Sequence, residues 1–475
     1  MKLVIVGGGI TGLAAAHRAL EIARERRLSL DLAVLEARER LGGTIATERA
    51  GGFLIEAGPD SFLSEKPWAL ALCRRLGLEP RLVGTDERFR KTFVWLGSRL
   101  HPLPEGFQLL APTRLRPFVT SPLFSWRGKV RMALDLVLPR GAAGDDESLG
   151  AFVRRRLGRE ALERVAQPLV AGIYTADPDD LSLSATMPRF LELERSQRSL
   201  ILALWRSSRS VAAARSGVRG ARWSLFVTLA GGMEELVATL VARLPAGAVH
   251  LKHRVVVLER REGRWQVAGE DGSREADRVI VASEAHAASR MLRYVDPSLA
   301  ALLQVIPYAS SATVSLGYRR ADVPHPLDGF GFVVPRIEGR RLLACTFSSV
   351  KYPGRAPDGY ALLRGFLGGA LDANVLEEDD PTLVGRAREE LRAALGVAAE
   401  PVLSRVARHA AAMPQYAVGH LTAVDAIERR LETAPGLVLA GAAYRGVGIA
   451  DCVRSGEIAA ERALDGVTRT LSAAP

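Results

Sequence analysis

Three glycines near the start of the chain have the spacing of a phosphate-binding turn. The stretch VIVGGGITG places Gly7, Gly9 and Gly12 in the pattern G-x-G-x-x-G, directly after an apolar run. In such a turn the first glycine permits a sharp bend, the second lets a pyrophosphate approach the backbone, and the third lets helix and strand pack closely. A helix that begins here also points free N–H groups and its positive dipole end at the phosphates. The pattern therefore predicts a dinucleotide site.

An acidic residue and a second glycine pair indicate which dinucleotide this site takes. Glu36 ends a second apolar run, DLAVLE. Its carboxylate can accept hydrogen bonds from both ribose hydroxyls of an adenosine, and it repels a 2′-phosphate. Arg40 and the pair Gly42-Gly43 follow shortly after. An NAD site has no need of this pair, whereas the flavin half of FAD runs past the first unit and requires further close backbone contacts. The spacing therefore favours FAD.

The elements that would position these residues form a β-α-β unit. Residues 2–6 and the run that ends at Glu36 are predicted to be parallel strands joined by a right-handed helical crossover. Further along, ADRVIVAS is predicted to be another parallel strand before a helix over 285–293, and a helix is expected near 381–395. Residues 305–370 alternate as antiparallel strands do. Proline-rich loops and helical patterns dominate the middle of the chain.

The predicted fold class is α/β, with a discontinuous Rossmann-like FAD-binding domain, an antiparallel-sheet substrate domain and a mostly helical insertion. The chain has 475 residues, which is long enough for two or three domains. The FAD-binding domain is expected to comprise residues 1–84, 221–298 and 405–475. The insertion is expected at 85–220 and the substrate sheet at 299–404.

Composition restricts the function classes. Apolar residues make up 48% and charged residues 25%, as in soluble globular proteins. The three cysteines include no C-x-x-C pair, which favours a reducing compartment over a disulfide framework. No apolar run is long enough for a bilayer, and glycines interrupt the apolar start, so no signal peptide is expected. The net charge of +11 suits an acidic ligand or an anionic surface, but no nucleic-acid module is recognisable.

Several stretches, in order along the chain, resemble one enzyme family. The R-x-G-G stretch at 40–43 is similar to that of the flavin-containing amine oxidase and protoporphyrinogen oxidase superfamily. The stretches that resemble the porphyrinogen oxidases of haem biosynthesis are EAGPDSFL (56–63), QPLVAGIYTADPDDLSLSATMP (167–188), GFGFVVP (329–335), MPQYAVGHL (413–421) and AGAAYRGVGIADCVRSG (440–456). The resemblance extends from residue 3 to about 465.

The resemblance implies cofactor and substrate contacts at the matching positions. FAD would be held by Gly7, Gly8, Gly9, Ile10, Thr11, Gly12, Glu36, Arg40, Gly42, Gly43, Thr44, Gly58, Pro59, Asp60, Ser61, Val255, Ala442, Val447, Gly448 and Ile449. Val255 would meet the adenine through its main chain. The porphyrinogen would contact Thr92, Gly172, Val333 and Phe366, and apolar contacts there suit a large, mostly apolar ring. No catalytic side chain and no metal site are predicted.

The resemblance also implies a reaction and its partners. Flavin N5 would accept a hydride from a carbon of the reduced macrocycle, a pyrrole N–H proton would be lost, and O2 would reoxidise the flavin to give H2O2. Repeated two-electron rounds would convert the porphyrinogen to the porphyrin. The implied setting is cytoplasmic, with peripheral membrane contact through 102–131, a homodimer, and a transient contact with the next haem-pathway enzyme.

The closing segment is predicted to complete the FAD-binding domain. The strand LVLAG, which begins at 437, would rejoin the parallel sheet. Gly446 and Gly448 would let the backbone approach the isoalloxazine ring. A helix that starts near Ile449 would direct its positive end at the N1–C2=O edge.

This chain departs from the family pattern at two positions. Ala450 stands where asparagine is common, and Thr92 stands where an arginine usually meets a propionate. The departure at Thr92, together with the stretch LPEGFQLLAPTRLRPFVTSPLFSWRGK, favours coproporphyrinogen III over protoporphyrinogen IX.

Two other functions stay open on the sequence alone. One is another oxidase of the same fold, such as an amine oxidase or a carotene desaturase. The other is a non-catalytic basic module that binds nucleic acid or a membrane surface. Among the remaining candidates, His250 and His253 are expected to point to opposite faces of one strand, which would not suit a shared metal. Cys452 is expected to be a small buried residue rather than a nucleophile.

Overall fold

A five-stranded parallel sheet brings together strands from distant parts of the chain. The computed structural model describes residues 1–108, 111–112, 114–141, 146–206, 224–270 and 272–466. The order of strands in the sheet is Val249–His250, Asp31–Leu35, Lys2–Val6, Arg278–Val281 and Leu437–Leu439. All neighbouring pairs are parallel, so each connection must cross over the sheet. The predicted return of LVLAG to this sheet is confirmed.

The strands of the parallel sheet are apolar on both faces because both faces are covered. On one face, Leu3 and Ile5 pack with the alanines of two helices, Ile10–Arg26 and Ile449–Ala463. On the other face, Val4 and its neighbours pack with apolar side chains of a three-stranded antiparallel sheet. Its strands are Val255–Arg261, Arg264–Gly269 and Gly272–Ala276. The parallel sheet and its first crossover helix agree with the predicted Rossmann-like domain, while an antiparallel sheet covers the second face in place of helices.

A seven-stranded, mainly antiparallel sheet forms the second layer. Its strands, in order, are Leu403–Pro414, Tyr308–Arg319, Tyr360–Gly368, Leu342–Phe347, Gly331–Val333, Thr92–Leu96 and Arg99–Pro102. The helix Asp380–Leu395 packs on one face through Leu383, Ala387 and Leu391. Only the pair formed by Gly331–Val333 and Thr92–Leu96 is parallel.

The boundaries of this sheet differ from the predicted domain limits at residues 85 and 405. Two of its strands come from the predicted helical insertion, and Leu403–Pro414 extends past residue 404. The cause is long-range pairing: Thr92 lies opposite Gly331, and Ala309 lies opposite Met413. The pattern of neighbouring residues cannot predict such pairing, because the partner strands lie far away in the sequence.

Short helices follow in the middle of the chain, as the sequence predicts. They are Leu115–Thr120, Trp126–Ala133, Leu149–Arg156, Arg159–Ala161, Gln167–Tyr174, Leu183–Thr186 and Pro188–Gln197, with a π-helical turn at Leu162–Ala166. Their apolar faces form one cluster, which includes Phe124, Phe152 and Val170 and which also contains Val94 and Val333 of the seven-stranded sheet. The helices therefore lie against one face of that sheet. The predicted end of the insertion, near residue 220, falls outside the described residues.

A buried arginine ties this helical region together. Arg156 and Asp135 are both fully buried, and Arg156 Nε donates to Asp135 Oδ1 at 2.7 Å. The same guanidinium donates to the carbonyl oxygens of Pro139 (2.8 Å) and Arg198 (2.7 Å). The other oxygen of Asp135 accepts from Ser199 Oγ at 2.7 Å. Each buried charge is therefore paired and hydrogen-bonded, as its desolvation requires.

The remaining elements connect the two large sheets. The helices are Pro67–Arg75, Glu234–Val241, Ala285–Leu292, Pro297–Gln304, Ser348–Lys351 and His420–Leu431, and the short strands are Thr47–Ala50, Phe53–Glu56, Phe62–Leu63, Leu82–Gly84, Phe107–Gln108, Ala111–Pro112 and Phe226–Leu229. The predicted helices over 285–293 and 381–395 are confirmed. Within the part of the chain that the structure describes, no helix has the length and apolarity that crossing a bilayer requires.

Candidate functional site

The first glycine turn, residues 7–12, leads from the central parallel strand into the first helix. Gly7 N–H donates to Leu35 O at 2.8 Å and so ties the turn to the neighbouring strand. A Cβ at Gly12 would lie 1.9 Å from Gly7 O, so only glycine lets the helix pack this closely. No side chain caps the helix at Gly9. Its first N–H groups are therefore available to an anion.

Glu36 is held in place by the main chain of two neighbouring loops. Its Oε2 accepts from Gly8 N–H at 2.7 Å, and its Oε1 accepts from Arg38 N–H at 2.8 Å. The side chain is buried. A carboxylate offers about four lone-pair directions, so each oxygen keeps one for a further donor. The position at the end of strand Asp31–Leu35 is the one expected for a ribose contact.

The second glycine pair lies against the first glycine turn. Gly42 N–H donates to Gly8 O at 2.8 Å, and a Cβ at Gly43 would lie 3.3 Å from Gly9 Cα. Arg40 fixes this loop, since its guanidinium donates to Gly43 O at 2.7 Å and Ile45 O at 2.9 Å.

The space above Gly9 is open and lined by backbone. A Cβ built on Gly9 would meet only Gly43 Cα, at 3.9 Å. An open cradle of main-chain groups at an uncapped helix start fits the pyrophosphate of a dinucleotide.

The loop at residues 57–61 is anchored to the seven-stranded sheet. Ala57 O accepts from Thr313 Oγ1 (3.2 Å), Arg364 Nη2 (3.0 Å) and His409 Nε2 (2.9 Å). Arg364 Nη2 also donates to Gly58 O at 2.7 Å. On its other side, Gly58 packs so tightly that a Cβ would lie 1.8 Å from the carbonyl oxygen of Thr44. Thr44 and the 57–61 loop therefore form one rigid wall.

Asp60 is committed to an ion pair within this wall. Lys351 Nζ lies 3.0 Å from Asp60 Oδ2, and Ser61 Oγ donates to Asp60 Oδ1 at 2.6 Å. Although burial alone would raise the pKa of Asp60, the charges of Lys351 and Arg364 outweigh it and lower the pKa to about 2. Asp60 is therefore ionised at neutral pH, and its carboxylate is shared with protein partners.

The return turn, residues 441–448, brings the end of the chain back to the first glycine turn. A Cβ at Gly441 would lie 4.0 Å from Thr11 Oγ1. The hydroxyl of buried Tyr416 clamps the turn, because it donates to Ala442 O at 2.6 Å and accepts from Gly446 N–H at 2.7 Å. The last helix then begins at Ile449 without a side-chain cap. The predicted helix start near Ile449–Asp451 is confirmed.

Ala450 and Cys452, in the first turn of the last helix, are both buried. Ala450 is buried in an apolar cluster that also contains Ile10, so no polar group stands there. Cys452 is buried as expected, and burial raises the pKa of its thiol to about 12. At neutral pH this cysteine stays protonated, which is unsuited to a nucleophile.

Val255 begins the antiparallel sheet beside Glu36. The chain just before it is tied to the ribose end of the site, because His253 N–H donates to Glu36 O at 2.9 Å. The expectation that His250 and His253 point to opposite faces is wrong. The strand ends at His250, and the chain then bends so that the two rings lie 6.3 Å apart.

Three of the four candidate substrate residues meet at the interface of the helices and the seven-stranded sheet. A Cβ at Gly172 would lie 3.8 Å from Val333 and 3.9 Å from Ala344. Ala344 pairs with both Val333 and Phe366 across neighbouring strands. Gly172 itself is exposed. These residues therefore form an apolar surface with an opening to solvent.

Thr92 lies on the same face of that sheet. It is two residues before Val94, which pairs with Val333 and belongs to the same apolar cluster. Residues two apart on a strand point to one face. The sheet thus brings all four candidate positions to one side.

The substrate face and the dinucleotide cradle are adjacent. Val447 of the return turn packs against the cluster that contains Val333, with Phe366 at its margin. Arg364, which holds the 57–61 loop, lies two residues before Phe366, and its guanidinium is 4.9 Å from the centre of that ring. A group held at the return turn would therefore lie next to a ligand on the substrate face.

Sequence reasoning missed three anchoring residues. Arg364, Lys351 and Tyr416 touch the candidate loops with their side chains. A charged residue inside the apolar strand YALLRGFLGG was a usable signal for Arg364, because arginine is rarely buried without partners. Tyr416 belongs to the quoted stretch MPQYAVGHL, but its two hydrogen bonds depend on a turn that follows much later in the chain.

The chain is similar over nearly its full length to known proteins. The family described as flavin containing amine oxidoreductase matches residues 10–464. The coproporphyrinogen III oxidase of Bacillus subtilis (strain 168) is 37% identical over 469 residues, which cover 97% of both chains. The protoporphyrinogen oxidase of Bos taurus is 32% identical over 484 residues, which cover 97% of this chain and 98% of that one.

A solved structure agrees with these similarities. The crystal structure of a protein from Exiguobacterium sp. 255-15 is 32% identical, has a TM-score of 0.84, and covers 97% of this chain and 98% of its own. The first glycine turn, the return turn, Glu36 and the candidate substrate residues thus lie on a fold that is shared along nearly the whole chain. The chain belongs to the flavin containing amine oxidoreductase family, whose cofactor here is FAD.

Proposed function

We propose that this protein is a porphyrinogen oxidase of haem biosynthesis that acts on coproporphyrinogen III. The observation that carries the proposal is the 37% identity, over 97% of both chains, to a coproporphyrinogen III oxidase. The protoporphyrinogen oxidase of Bos taurus shares 32%. The family resemblance at Thr92 favours the same substrate, because protoporphyrinogen-type enzymes usually carry an arginine at the matching position.

The chain's own groups would hold FAD from both ends. The first glycine turn would hold the pyrophosphate, with the glycine pair Gly42-Gly43 beside it toward the flavin half. Glu36 would take the ribose, and the main chain at Val255 would meet the adenine. Thr44, the 57–61 loop and the return turn with Ile449 line the flavin. The uncapped start of the last helix suits a group that gains negative charge.

The protein's part in the reaction is to bind, orient and exclude water. Bound FAD would supply the hydride acceptor, with O2 as the final electron acceptor and H2O2 as the product. The apolar surface at Gly172, Val333 and Phe366 holds the macrocycle beside the return turn and keeps water away from the reacting carbon. The pyrrole N–H proton leaves to solvent. Each round removes two electrons and two protons, and repeated rounds give the aromatic porphyrin.

Anaerobic mixing with candidate substrates tests this proposal. Coproporphyrinogen III is expected to bleach the flavin absorbance of the purified protein at least about tenfold faster than protoporphyrinogen IX, a ratio within the reach of one pocket. Coproporphyrinogen carries propionates where protoporphyrinogen carries vinyl groups. The expected preference rests on the greater identity to a coproporphyrinogen III oxidase (37%) than to a protoporphyrinogen oxidase (32%). Stopped-flow absorbance in the flavin band measures both rates.

Two controls make the result decisive. Readmission of O2 should restore the flavin band and produce H2O2 in proportion to the porphyrin that forms. Bleaching by an amine with none by either porphyrinogen would overturn the proposal in favour of an amine oxidase. A purified protein that releases no FAD on denaturation would exclude a flavoenzyme, including the carotene desaturase alternative, and leave the basic binding module.

A second proposal concerns peripheral contact with an anionic membrane. Four exposed apolar residues recur at helical spacing and form a surface that we call the apolar stripe. They are Trp126 (68% exposed), Val130 (61%), Leu134 (44%) and Val137 (66%). Exposed Arg127 lies beside it. Exposed apolar side chains flanked by basic ones suit the headgroup region of an anionic bilayer.

Replacing Val130 by glutamate tests the membrane proposal. The variant is expected to bind vesicles that contain phosphatidylglycerol about tenfold more weakly, because burial of one valine contributes roughly 1.5 kcal/mol or more. Vesicle co-sedimentation at low salt measures the bound fraction. Val402→Glu is the matched control, since Val402 is also exposed (52%) but lies outside the stripe. Equal binding by both variants and the unaltered protein would refute the membrane contact.

The other associations rest on the family resemblance. They are a homodimer, a transient contact with the next haem-pathway enzyme, and a cytoplasmic setting.

A further inference from the structure

An ion pair lies beside the return turn and has no role in the reaction described above. Lys66 Nζ lies 2.8 Å from Asp451 Oδ1 and 2.6 Å from Asp451 Oδ2, so both carboxylate oxygens face one ammonium group. The two residues are far apart in sequence. Asp451 is nearly buried and Lys66 is partly exposed, with side-chain exposures of 11% and 41%.

The carboxylate of Asp451 packs directly against the return turn. A Cβ at Gly446 would lie 2.5 Å from Asp451 Cγ, and a Cβ at Gly448 would lie 3.2 Å from Asp451 Oδ2. Asp451 also lies in the first turn of the last helix. The chain therefore places a negative group at the helix end whose positive dipole was expected to favour reduction of the flavin.

The charge of Asp451 also acts on two tyrosines near the site. Burial, and after it the charge of Asp451, raises the pKa of Tyr174 to about 12. Tyr174 ends the helix that carries Gly172. Burial also raises the pKa of Tyr416, the clamp of the return turn, and Asp451 contributes in the same direction. The negative charge of Asp451 therefore acts on the helix Gln167–Tyr174 as well as on the return turn.

We propose that Lys66 sets the reduction potential of the flavin by neutralising Asp451. This rests on the proposed placement of the flavin at the return turn. An unpaired carboxylate at this position would oppose the arrival of electrons on the ring and cancel part of the helix dipole. With the ammonium held at both oxygens, the pair carries no net charge, and the dipole acts unopposed. Lys66 acts on the flavin through Asp451 and is a positioning residue.

A double-mutant cycle that removes the charges of Lys66 and Asp451, singly and together, tests the proposal on the purified holoenzyme. Lys66→Met is expected to lower the equilibrium constant for two-electron reduction of the bound flavin about tenfold, which corresponds to about 30 mV. Asp451→Asn is expected to change it in the opposite direction. The double variant should return close to the value of the unaltered protein, and Lys66→Arg, which keeps the charge, should also stay close to it. Equilibration with reference dyes measures each potential.

The control is Lys252→Met, which removes the same charge. Lys252 pairs with Glu39 at 2.7 Å near the ribose end of the site, and both side chains are exposed. The flavin reduction potential of the Lys252→Met variant should equal that of the unaltered protein. Equal potentials for Lys66→Met, Asp451→Asn and the unaltered protein would overturn the proposal. A purely structural role predicts that the double variant deviates further than either single variant, which would overturn it as well.

This experiment separates the inference from the proposed function. The dye equilibration requires bound FAD but no porphyrinogen. Flavin content is measured for every variant, and if Lys66→Met loses FAD, the direction of the change in Asp451→Asn still decides the proposal. A protein that binds FAD and responds to the double-mutant cycle but oxidises no porphyrinogen would contradict the proposed substrate while supporting the role of Lys66.

Discussion

Replacement of Gly9 by alanine is expected to yield a folded protein that has lost most of its affinity for FAD. Gly9 has φ −72° and ψ 178°, a conformation that alanine adopts freely. Its added methyl would meet only Gly43 Cα at 3.9 Å, so the protein itself accommodates it. The space it fills is the one proposed for the pyrophosphate. Overpacking of about 1–3 kcal/mol corresponds to roughly 5- to 150-fold weaker FAD binding.

Gly12→Ala is the matched comparison within the same turn. Here the methyl would lie 1.9 Å from Gly7 O, which is a clash with the backbone and not with a ligand. This variant should lose both FAD and stability. Gly9→Ala apoprotein should unfold at the same urea concentration as the unaltered apoprotein, or slightly higher, since alanine restricts the unfolded chain by about 0.4–1 kcal/mol.

Fluorescence titration of the apoproteins with FAD, together with urea unfolding, measures both effects. Full affinity in Gly9→Ala would mean that the pyrophosphate does not occupy the cradle at the first glycine turn. Equal loss of stability in the two variants would mean that the cradle is not open space.

Arg156→Leu is expected to destabilise the protein by about 3–5 kcal/mol. The substitution leaves the carboxylate of Asp135 fully buried without its cation, and an uncompensated buried charge has a cost of that size. It also removes donors from the carbonyl oxygens of Pro139 and Arg198. Urea unfolding of the holoenzyme, followed by tryptophan fluorescence, measures the loss.

Arg154→Leu on the same helix is the control. Arg154 pairs with Asp179 at 2.7 Å, but their side chains are 48% and 54% exposed. Exposed pairs contribute about 0–1 kcal/mol, so this variant should unfold close to the unaltered protein. A similar shift in both variants would show that helix composition, and not the buried pair, governs stability here.

The parts of the fold that follow local rules could be predicted from the sequence. The β-α-β unit could be predicted from two local signals. A parallel strand buried on both faces is continuously apolar, as Lys2–Val6 and Asp31–Leu35 are. The spacing of Gly7, Gly9 and Gly12 marks the turn between the first strand and the helix. The start of the last helix at Ile449 also followed from local glycines. These features depend on a few consecutive residues.

Features that depend on distant partners could not be predicted. Strand Thr92–Leu96 looks like part of a loop-rich insertion, and only its pairing with Gly331–Val333 assigns it to the seven-stranded sheet. The pairs formed by Lys66 with Asp451 and by Lys351 with Asp60 join residues that no spacing rule connects. The expectation for His250 and His253 failed because the strand ended sooner than its apolar pattern.

The strand order of the parallel sheet has a consequence for synthesis of the protein. Strand Lys2–Val6 is synthesised well before its neighbour Arg278–Val281 and before the edge strand Leu437–Leu439. At about 5–20 residues per second, the interval between Val6 and Leu437 lasts roughly 20–90 s. Until then this apolar strand lacks its final sheet. In the proposed site, FAD contacts both the first glycine turn and the return turn, so we expect the cofactor to be captured only after the return turn has been synthesised.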